Sequence, residues 1–259
     1  MKRFHLIELH EQTWMPRFLR NTLTDFLHTI LTRYKVYAPV VSLISKVMLK
    51  TNQKQILDLC SGGAGPLKQL LPELINTFGK EVTIKLTDKY PNIPAFKNAA
   101  EQSSGHLIYS PDSIDAKNIS DKEKGIRTFF SSFHHFNPEQ ARAILQDAVT
   151  SKAPICIFEY TERTYSRLIM DLLIPVSVLL LMPRVKNLSL KQLIFTYLIP
   201  VLPFLITFDG MVSSVRTYKV DELSAIAQSL ENADYHWECE KIKSGFNYCN
   251  LTYLIGYPE

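Results

Sequence analysis

The sequence predicts an α/β chain with a mostly parallel sheet, and three observations carry that reading. Short apolar runs alternate with helical patterns from Gln55 to Phe158, and such alternation builds a parallel sheet with helices on both faces. The first run (Ile56, Leu57, Leu59) ends in a small flexible cluster, Ser61-Gly62-Gly63-Ala64-Gly65, before Pro66 opens an apolar stripe through Leu67, Leu70, Leu71 and Leu74. A strand, a tight glycine turn and a helix N-terminus let a ligand approach the backbone and meet free N–H groups, and proline suits a first helical position. The second run, 82–87, ends at Asp88, where a carboxylate can accept hydrogen bonds from both hydroxyls of a ribose.

In order, the pattern predicts strands over 55–59, 82–87, 106–110, 126–132 and 154–159, with helices over 66–78, 94–102 and 138–150. Ligands bind such sheets beyond the carboxyl ends of the strands, so the residues that follow each strand are the ones to read.

The form Gln55-Ile56-Leu57-Asp58-Leu59-Cys60-Ser61-Gly62-Gly63, with Asp88 ending the next strand, resembles the class I S-adenosylmethionine-dependent methyltransferases over roughly Gln55 to Phe158. Two positions depart from that family's usual loop: Cys60 stands where a first glycine is common, and Ala64 where a third is. The resemblance implies a Rossmann-like, doubly wound seven-stranded sheet and S-adenosylmethionine as cofactor. Asp58, Cys60, Gly62, Gly63 and Gly65 would hold its amino-acid end, Asp88 with Lys89 the ribose, and Asp112 with Ser113 the adenine. Read from the residues alone, Ser110 to Asp115 is equally a solvated turn with capping Asp and Ser.

After the fourth strand comes Ser131-Ser132-Phe133-His134-His135-Phe136, a loop that family members place beside the methionine part of the cofactor, which adds Ser131 to the expected cofactor contacts. Imidazole titrates near neutral pH, so His134 or His135 is a candidate general base, the alternative being a satisfied structural histidine. Paired histidines also suggest a metal, but no third ligand stands at metal spacing and none is expected. The fifth strand ends in Glu159-Tyr160; Tyr160 is a candidate for acceptor handling and Glu159 for acceptor binding, and either could be an ordinary loop residue. The tetrad Asn/Asp-Pro-Pro-Tyr/Phe of enzymes that methylate nucleic-acid bases is missing.

Composition agrees. The 259 residues are 46% hydrophobic, enough for one α/β domain with insertions, and a net charge of +4 is too mild to argue for nucleic acid. Four cysteines without a C-x-x-C pair read as buried free thiols of a reducing compartment. No apolar run precedes Glu8, so no secretory signal is expected. The expectation is a cytoplasmic protein, with peripheral contact at the inner membrane face as an option.

Residues 1–50 read as an N-terminal helical cap, with apolar positions at three- and four-residue spacing. Trp14, Arg17, Phe18 and Tyr37 are its possible pocket walls. Residues 51–259 form the second unit, with a helical insertion at about 163–208. The insertion holds two apolar runs, 168–182 and 193–208, each shorter than the roughly 20 residues a span needs and interrupted by Pro175, Pro200 and Pro203. They could line a pocket for a hydrophobic acceptor, form core or a dimer interface, or rest 168–208 on a membrane with Arg163, Arg167, Arg184, Lys186 and Lys191 facing headgroups. The lack of a polar stripe favours burial in protein. Next, 208–218 reads as a glycine-permitted site loop in which Asp209, Arg216 and Tyr218 face the acceptor; a buried Asp209–Arg216 ion pair is the alternative. A helix over 220–231 and strands over 235–242 and 247–256 close the sheet.

The function expected is methyl transfer to a small, hydrophobic or lipid-like acceptor. The competing reading is a non-catalytic cofactor-binding, membrane-binding or partner-binding protein on the same fold.

Overall fold

In the computed structural model, residues 1–63, 65–120, 122–185, 188–231, 234–245 and 249–259 are described. Ala64, Lys186, Asn247 and Tyr248, which entered the sequence reading, lie outside that set.

Two helices precede the sheet, α1 (Arg17–Arg33) and α2 (Val41–Thr51). Asn52 ends α2 at φ +52, a left-handed cap that asparagine tolerates. The alternation then runs β1 (Gln55–Asp58), α3 (Gly65–Phe78), β2 (Thr83–Leu86), α4 (Ile93–Glu101), β3 (Leu107–Tyr109), β4 (Ile126–Phe130), α5 (Pro138–Thr150) and β5 (Ile155–Glu159). Helix α5 starts as its sequence dictates: Asn137 and Gln140 form a reciprocal capping box around Pro138. The insertion follows as α6 (Tyr165–Asp171), α7 (Ile174–Leu181), α8 (Leu190–Leu193), a π-turn over Ile194–Leu198, and α9 (Val201–Arg216). The chain closes with α10 (Val220–Gln228), β6 (Tyr235–Lys243) and β7 (Asn250–Pro258).

The seven-stranded sheet has the order β3-β2-β1-β4-β5-β7-β6. Strands β1 to β5 pair in parallel, and β7 runs antiparallel between β5 and β6. Strand β5 is buried at every position, as a central strand covered on both faces must be. At Gly256 of β7 an added Cβ would lie 2.4 Å from the Trp237 ring and 2.6 Å from that of Tyr235, so aromatic packing from β6 requires glycine there.

Two of the hydrophobic clusters set the shape. Val40, Ile44, Val47 and Met48 of the N-terminal stretch share the main core with Ile56, Ile84 and Phe158. Met15, Leu19, Leu23 and Phe26 pack instead on Val178, Met182, Val185, Leu202 and Leu205 of the insertion. Helix α1 and the insertion therefore form one lobe over the carboxyl edge of the sheet.

The insertion departs from two expectations. First, 208–218 is not a loop: α9 continues to Arg216. Gly210 serves helix packing, since a Cβ there would lie 2.8 Å from Ile174 Cδ1. Second, the apolar runs are buried on one side only. Ile169, Leu180, Leu198 and Phe204 are 67%, 65%, 76% and 65% exposed. These helices are apolar all round, and one lobe can cover only one stripe of each. The prolines interrupt the runs as expected: each run is split into two helices, with Pro175 in the first turn of α7, Pro200 capping α9 and Pro203 in its first turn. Among the described residues no single helix is long and apolar enough to cross a membrane, though two bent helix pairs reach that length and composition when each pair is taken together, with bends of 41° and 76°.

Candidate functional site

The glycine turn after β1 has the backbone its residues suggest. Gly62 sits at φ +56, and Cys60 also takes a left-handed conformation, at φ +59. That explains why glycine is common there and shows that a thiol side chain is accommodated at a cost of about 1–2 kcal/mol. The Gly62 N–H donates to Asp88 Oδ2 (2.9 Å) and the Tyr90 N–H to Asp88 Oδ1 (2.8 Å). The acid at the end of β2 is thus aimed back across the turn.

Asp58 is buried and accepts from Thr128 Oγ1 (2.7 Å). Burial drives its carboxyl up to about 7, and the nearby Asp88 charge adds to the rise against the Thr128 and Ser61 hydrogen bonds. On the other side of Asp88, Ser113 Oγ donates to the Lys89 carbonyl (2.7 Å) and Ile114 N to the Asp88 carbonyl (3.0 Å). This fastens the exposed Asp112–Ser113 turn to the end of β2. The Lys89 ammonium is committed to Asp115 at 3.1 Å.

Helix α1 lies over this turn. Cβ atoms added at Gly62 and Gly63 would meet Thr24 Cγ2 at 3.4 and 3.3 Å, and one at Gly65 would meet His28 Nδ1 at 3.4 Å. The Arg20 guanidinium stands 5.8 Å from the Tyr90 ring centre. Of the expected pocket walls, Tyr37 reaches the site: its hydroxyl pairs with Ser131 Oγ at 2.5 Å and its ring meets Phe130 edge-on. Trp14 faces outward, 66% exposed. Phe18 packs on Phe195.

At the ends of β4 and β5, Ser131 (φ +46) receives the Tyr160 N–H on its hydroxyl at 3.1 Å. The Tyr160 ring lies under the Arg167 guanidinium at 4.5 Å. Ser131, Tyr160 and Tyr37 form a polar rim beside the glycine turn.

A second, buried constellation lies behind that rim. His134 Nδ1 pairs with Glu159 Oε2 at 2.7 Å, while Glu159 Oε1 accepts from Phe133 N (2.7 Å) and His134 N (3.2 Å). Burial pulls the His134 imidazole down, but the Glu159 and Glu8 carboxylates outweigh it and raise it to about 9. His135 goes the other way, lowered chiefly by burial. Arg216, 1% exposed, grips Glu11 at 2.9 and 3.1 Å and donates to the carbonyls of Leu6, His134 and His135. Arg3 donates to the carbonyls of His134, Phe136 and Arg216.

Sequence reasoning missed Glu8, Glu11, His10 and Arg3 in this cluster. The available signal was density: His5, Glu8, His10 and Glu11 crowd one short stretch. Asp209 and Arg216 do not pair directly. Asp209 instead accepts from Leu9 N (2.7 Å) and His10 N (3.0 Å) and holds His10 Nδ1 at 2.9 Å. Tyr218 is buried, donates to the Phe136 carbonyl (2.8 Å) and lies 4.0 Å under Arg3, so it faces no acceptor. Arg163 and Arg167, expected to face headgroups, are committed to Glu222 and Asp171. Of the four cysteines, none in a disulfide, Cys156 is fully buried and Cys60, Cys239 and Cys249 are half-buried.

A cavity of about 630 Å³ opens at the opposite edge, lined by Gln55, Thr83, Gly125 and Arg127. It lies at the amino ends of the strands, the wrong end of a parallel sheet for a ligand.

Compared with solved structures, the chain aligns over 91% of its length with an O-methyltransferase family protein from Burkholderia thailandensis (TM-score 0.51, 14% identity), spanning 59% of that chain. It has the class I methyltransferase fold. It also aligns over 93% of its length with the plantazolicin methyltransferase BpumL (TM-score 0.55, 12% identity), spanning 90% of that chain, a structure solved with a monoazolic desmethylPZN analog and SAH. No family model and no curated protein sequence matches the chain.

Proposed function

We propose that this chain is an S-adenosylmethionine-dependent methyltransferase acting on a small apolar or lipid-like acceptor. The observation that carries the reading is the pairing of a left-handed glycine turn with the Asp88 carboxylate at the carboxyl edge of the sheet, under α1. Its donor set suits a nucleoside with a cationic amino-acid tail. Asp88 keeps lone pairs for ribose hydroxyls, the Asp112–Ser113 turn is fastened beside it, and the buried Asp58 carboxyl gains from a nearby ammonium. The turn's N–H groups and the start of α3 suit a carboxylate. BpumL, which shares the fold, is solved with SAH.

When bound, the cofactor supplies an electrophilic methyl group. The chain's own work is alignment, and holding reactants in line accounts for a large share of such rate enhancements. Ser131 and Tyr160 at the ends of β4 and β5 orient the acceptor, with Tyr37 fixing the Ser131 hydroxyl. Glu159, His134 and His135 act from behind, holding the loop after β4, because their polar atoms face the buried cluster. Helix α1 and the insertion cover the site and exclude water.

The outer face of the insertion supports the apolar acceptor. Ile169, Leu172, Leu173, Leu180, Leu198 and Phe204 are all more than half exposed, and monomeric proteins seldom leave so much apolar surface in one region without an interaction to cover it. Arg184 and Lys191 are exposed in the same lobe and suit anionic headgroups.

The test is to incubate the protein with methyl-labelled S-adenosylmethionine and a total lipid extract, then partition the products. Label in the organic phase is the expected result. Label confined to water-soluble products refutes the apolar acceptor. Cofactor binding with no transfer to any extract favours the non-catalytic alternative.

A further inference from the structure

The buried constellation behind the active-site rim has more anionic than cationic groups. The carboxylates of Glu8, Glu11, Glu159 and Asp209 outnumber the two guanidinium groups, Arg3 and Arg216, and the imidazoles of His10, His134 and His135 sit among them. Buried carboxylates in excess are compensated by protonated imidazoles or by a bound cation.

Three donors converge where one would sit. Glu8 is 0% exposed and His134 2%. Glu8 Oε2 and His134 Nε2 have no hydrogen-bond partner among the described residues, and His135 Nδ1 has none in alignment, although Glu11 Oε1 lies 2.6 Å from it. One donor from each of Glu8, His134 and His135 lies within 4.8 Å of the others. His134 Nε2 is 3.5 Å from Glu8 Oε1, and His135 Nδ1 is 3.5 Å from Glu8 Oε2. Ligands bound tetrahedrally at about 2.0–2.2 Å lie roughly 3.3–3.6 Å apart, so each imidazole already stands at that separation from one Glu8 oxygen.

The surroundings fit as well. The other nitrogen of His134 bonds Glu159 Oε2 at 2.7 Å, the carboxylate–histidine arrangement that fixes the tautomer of a metal-ligating imidazole. Ser213 Oγ holds Glu8 Oε1 at 3.0 Å. Arg216 comes within 3.6 Å of Glu8, but its charge is matched bidentately by Glu11. The local sequence lacks a third ligand beside the histidine pair; the fold brings one from position 8.

We propose that Glu8, His134 and His135 bind one divalent transition-metal ion of the zinc, cobalt and iron(II) class. Two imidazoles and a carboxylate select that class over magnesium or calcium, which prefer all-oxygen sets. A site this buried is a clasp: it fastens the N-terminal segment to the loop after β4.

The experiment uses full-length protein, freed of any affinity tag, stripped with a chelator and desalted. Co²⁺ is titrated while visible d–d absorption and melting temperature are followed, with Zn²⁺ as competitor and Mg²⁺ as control. One Co²⁺ per chain, displaced by Zn²⁺ and not by Mg²⁺, with a raised melting temperature, is expected. His135→Ala should weaken Co²⁺ binding at least tenfold, and Glu159→Gln by about 10–100-fold. His135→Cys, should the alanine variant not fold, is expected to retain the ion and add a sulfur-to-cobalt charge-transfer band. A folded wild type with no cobalt absorption and no thermal shift overturns the proposal and leaves the cluster as ion pairs alone. Cobalt binding indifferent to both His135 variants overturns it too, by placing the ion elsewhere.

Discussion

Asp58 allows a test of whether this edge of the sheet is built for a ligand at the expense of stability. Its folded carboxyl titrates at about 7 because it is buried, against an ordinary value of 3.8. Between those values the unfolded chain releases a proton that the folded chain keeps. The stabilisation is therefore complete below about pH 4, falls as pH rises, and is gone above pH 7. Three pH units correspond to about 4 kcal/mol, or roughly 8 °C at about 2 °C per kcal/mol for a chain of this length. Asp58→Asn keeps the size and can still accept from Thr128 Oγ1, but never ionises. Melting curves of both proteins from pH 4 to pH 8 give the difference, in which other titrating groups cancel. The variant should gain on the wild type by about 4 kcal/mol over that interval, while losing affinity for S-adenosylmethionine. A difference that stays flat with pH would refute the argument, since it would mean that the carboxyl is not forced into a dry site.

Arg216→Met should cost about 3 kcal/mol, because it leaves the half-buried Glu11 carboxylate without its bidentate partner, and a double-mutant cycle with Glu11→Gln in chemical denaturation should show coupling of about 2 kcal/mol; additive losses would contradict the pairing. Gly62→Ala, at φ +56 with Thr24 close by, should destabilise by about 1–2 kcal/mol. Cys60→Gly should stay within about 1 kcal/mol of wild type, as relief of its left-handed strain offsets the entropy of glycine; the reverse order in urea titrations would mean that the turn is built differently. Replacing exposed Leu172, Leu198 and Phe204 together by Glu should abolish co-sedimentation with anionic vesicles without lowering the melting temperature, and undiminished co-sedimentation would remove the membrane-facing role.

The alternating core was legible because each strand is punctuated. Gly62 and Gly63 end the first, Asp88 the second and Ser131 the fourth. The stretch from 209 to 216 was misread because its polar residues look like a loop. Their spacing at 209, 213 and 216 is helical, and their partners are the polar backbone and side chains of residues 3–11. Burial of the apolar insertion was not legible either, since a helix without a polar stripe does not reveal which side a neighbour will cover. The metal-like cluster was hidden for a related reason: Glu8 and His134 are far apart in the chain, and the hydrogen bonds of α9 to residues 6–11 hold them together.

The central claim is that the turn at 60–65 and Asp88 hold S-adenosylmethionine. Calorimetric titration of the purified protein, with Asp88→Ala alongside, tests it most directly. The account predicts micromolar binding by the wild type, weakened at least tenfold by the substitution, a loss of about 1.4 kcal/mol or more. Absence of binding by a folded wild type, or binding that the substitution leaves unchanged, would contradict it.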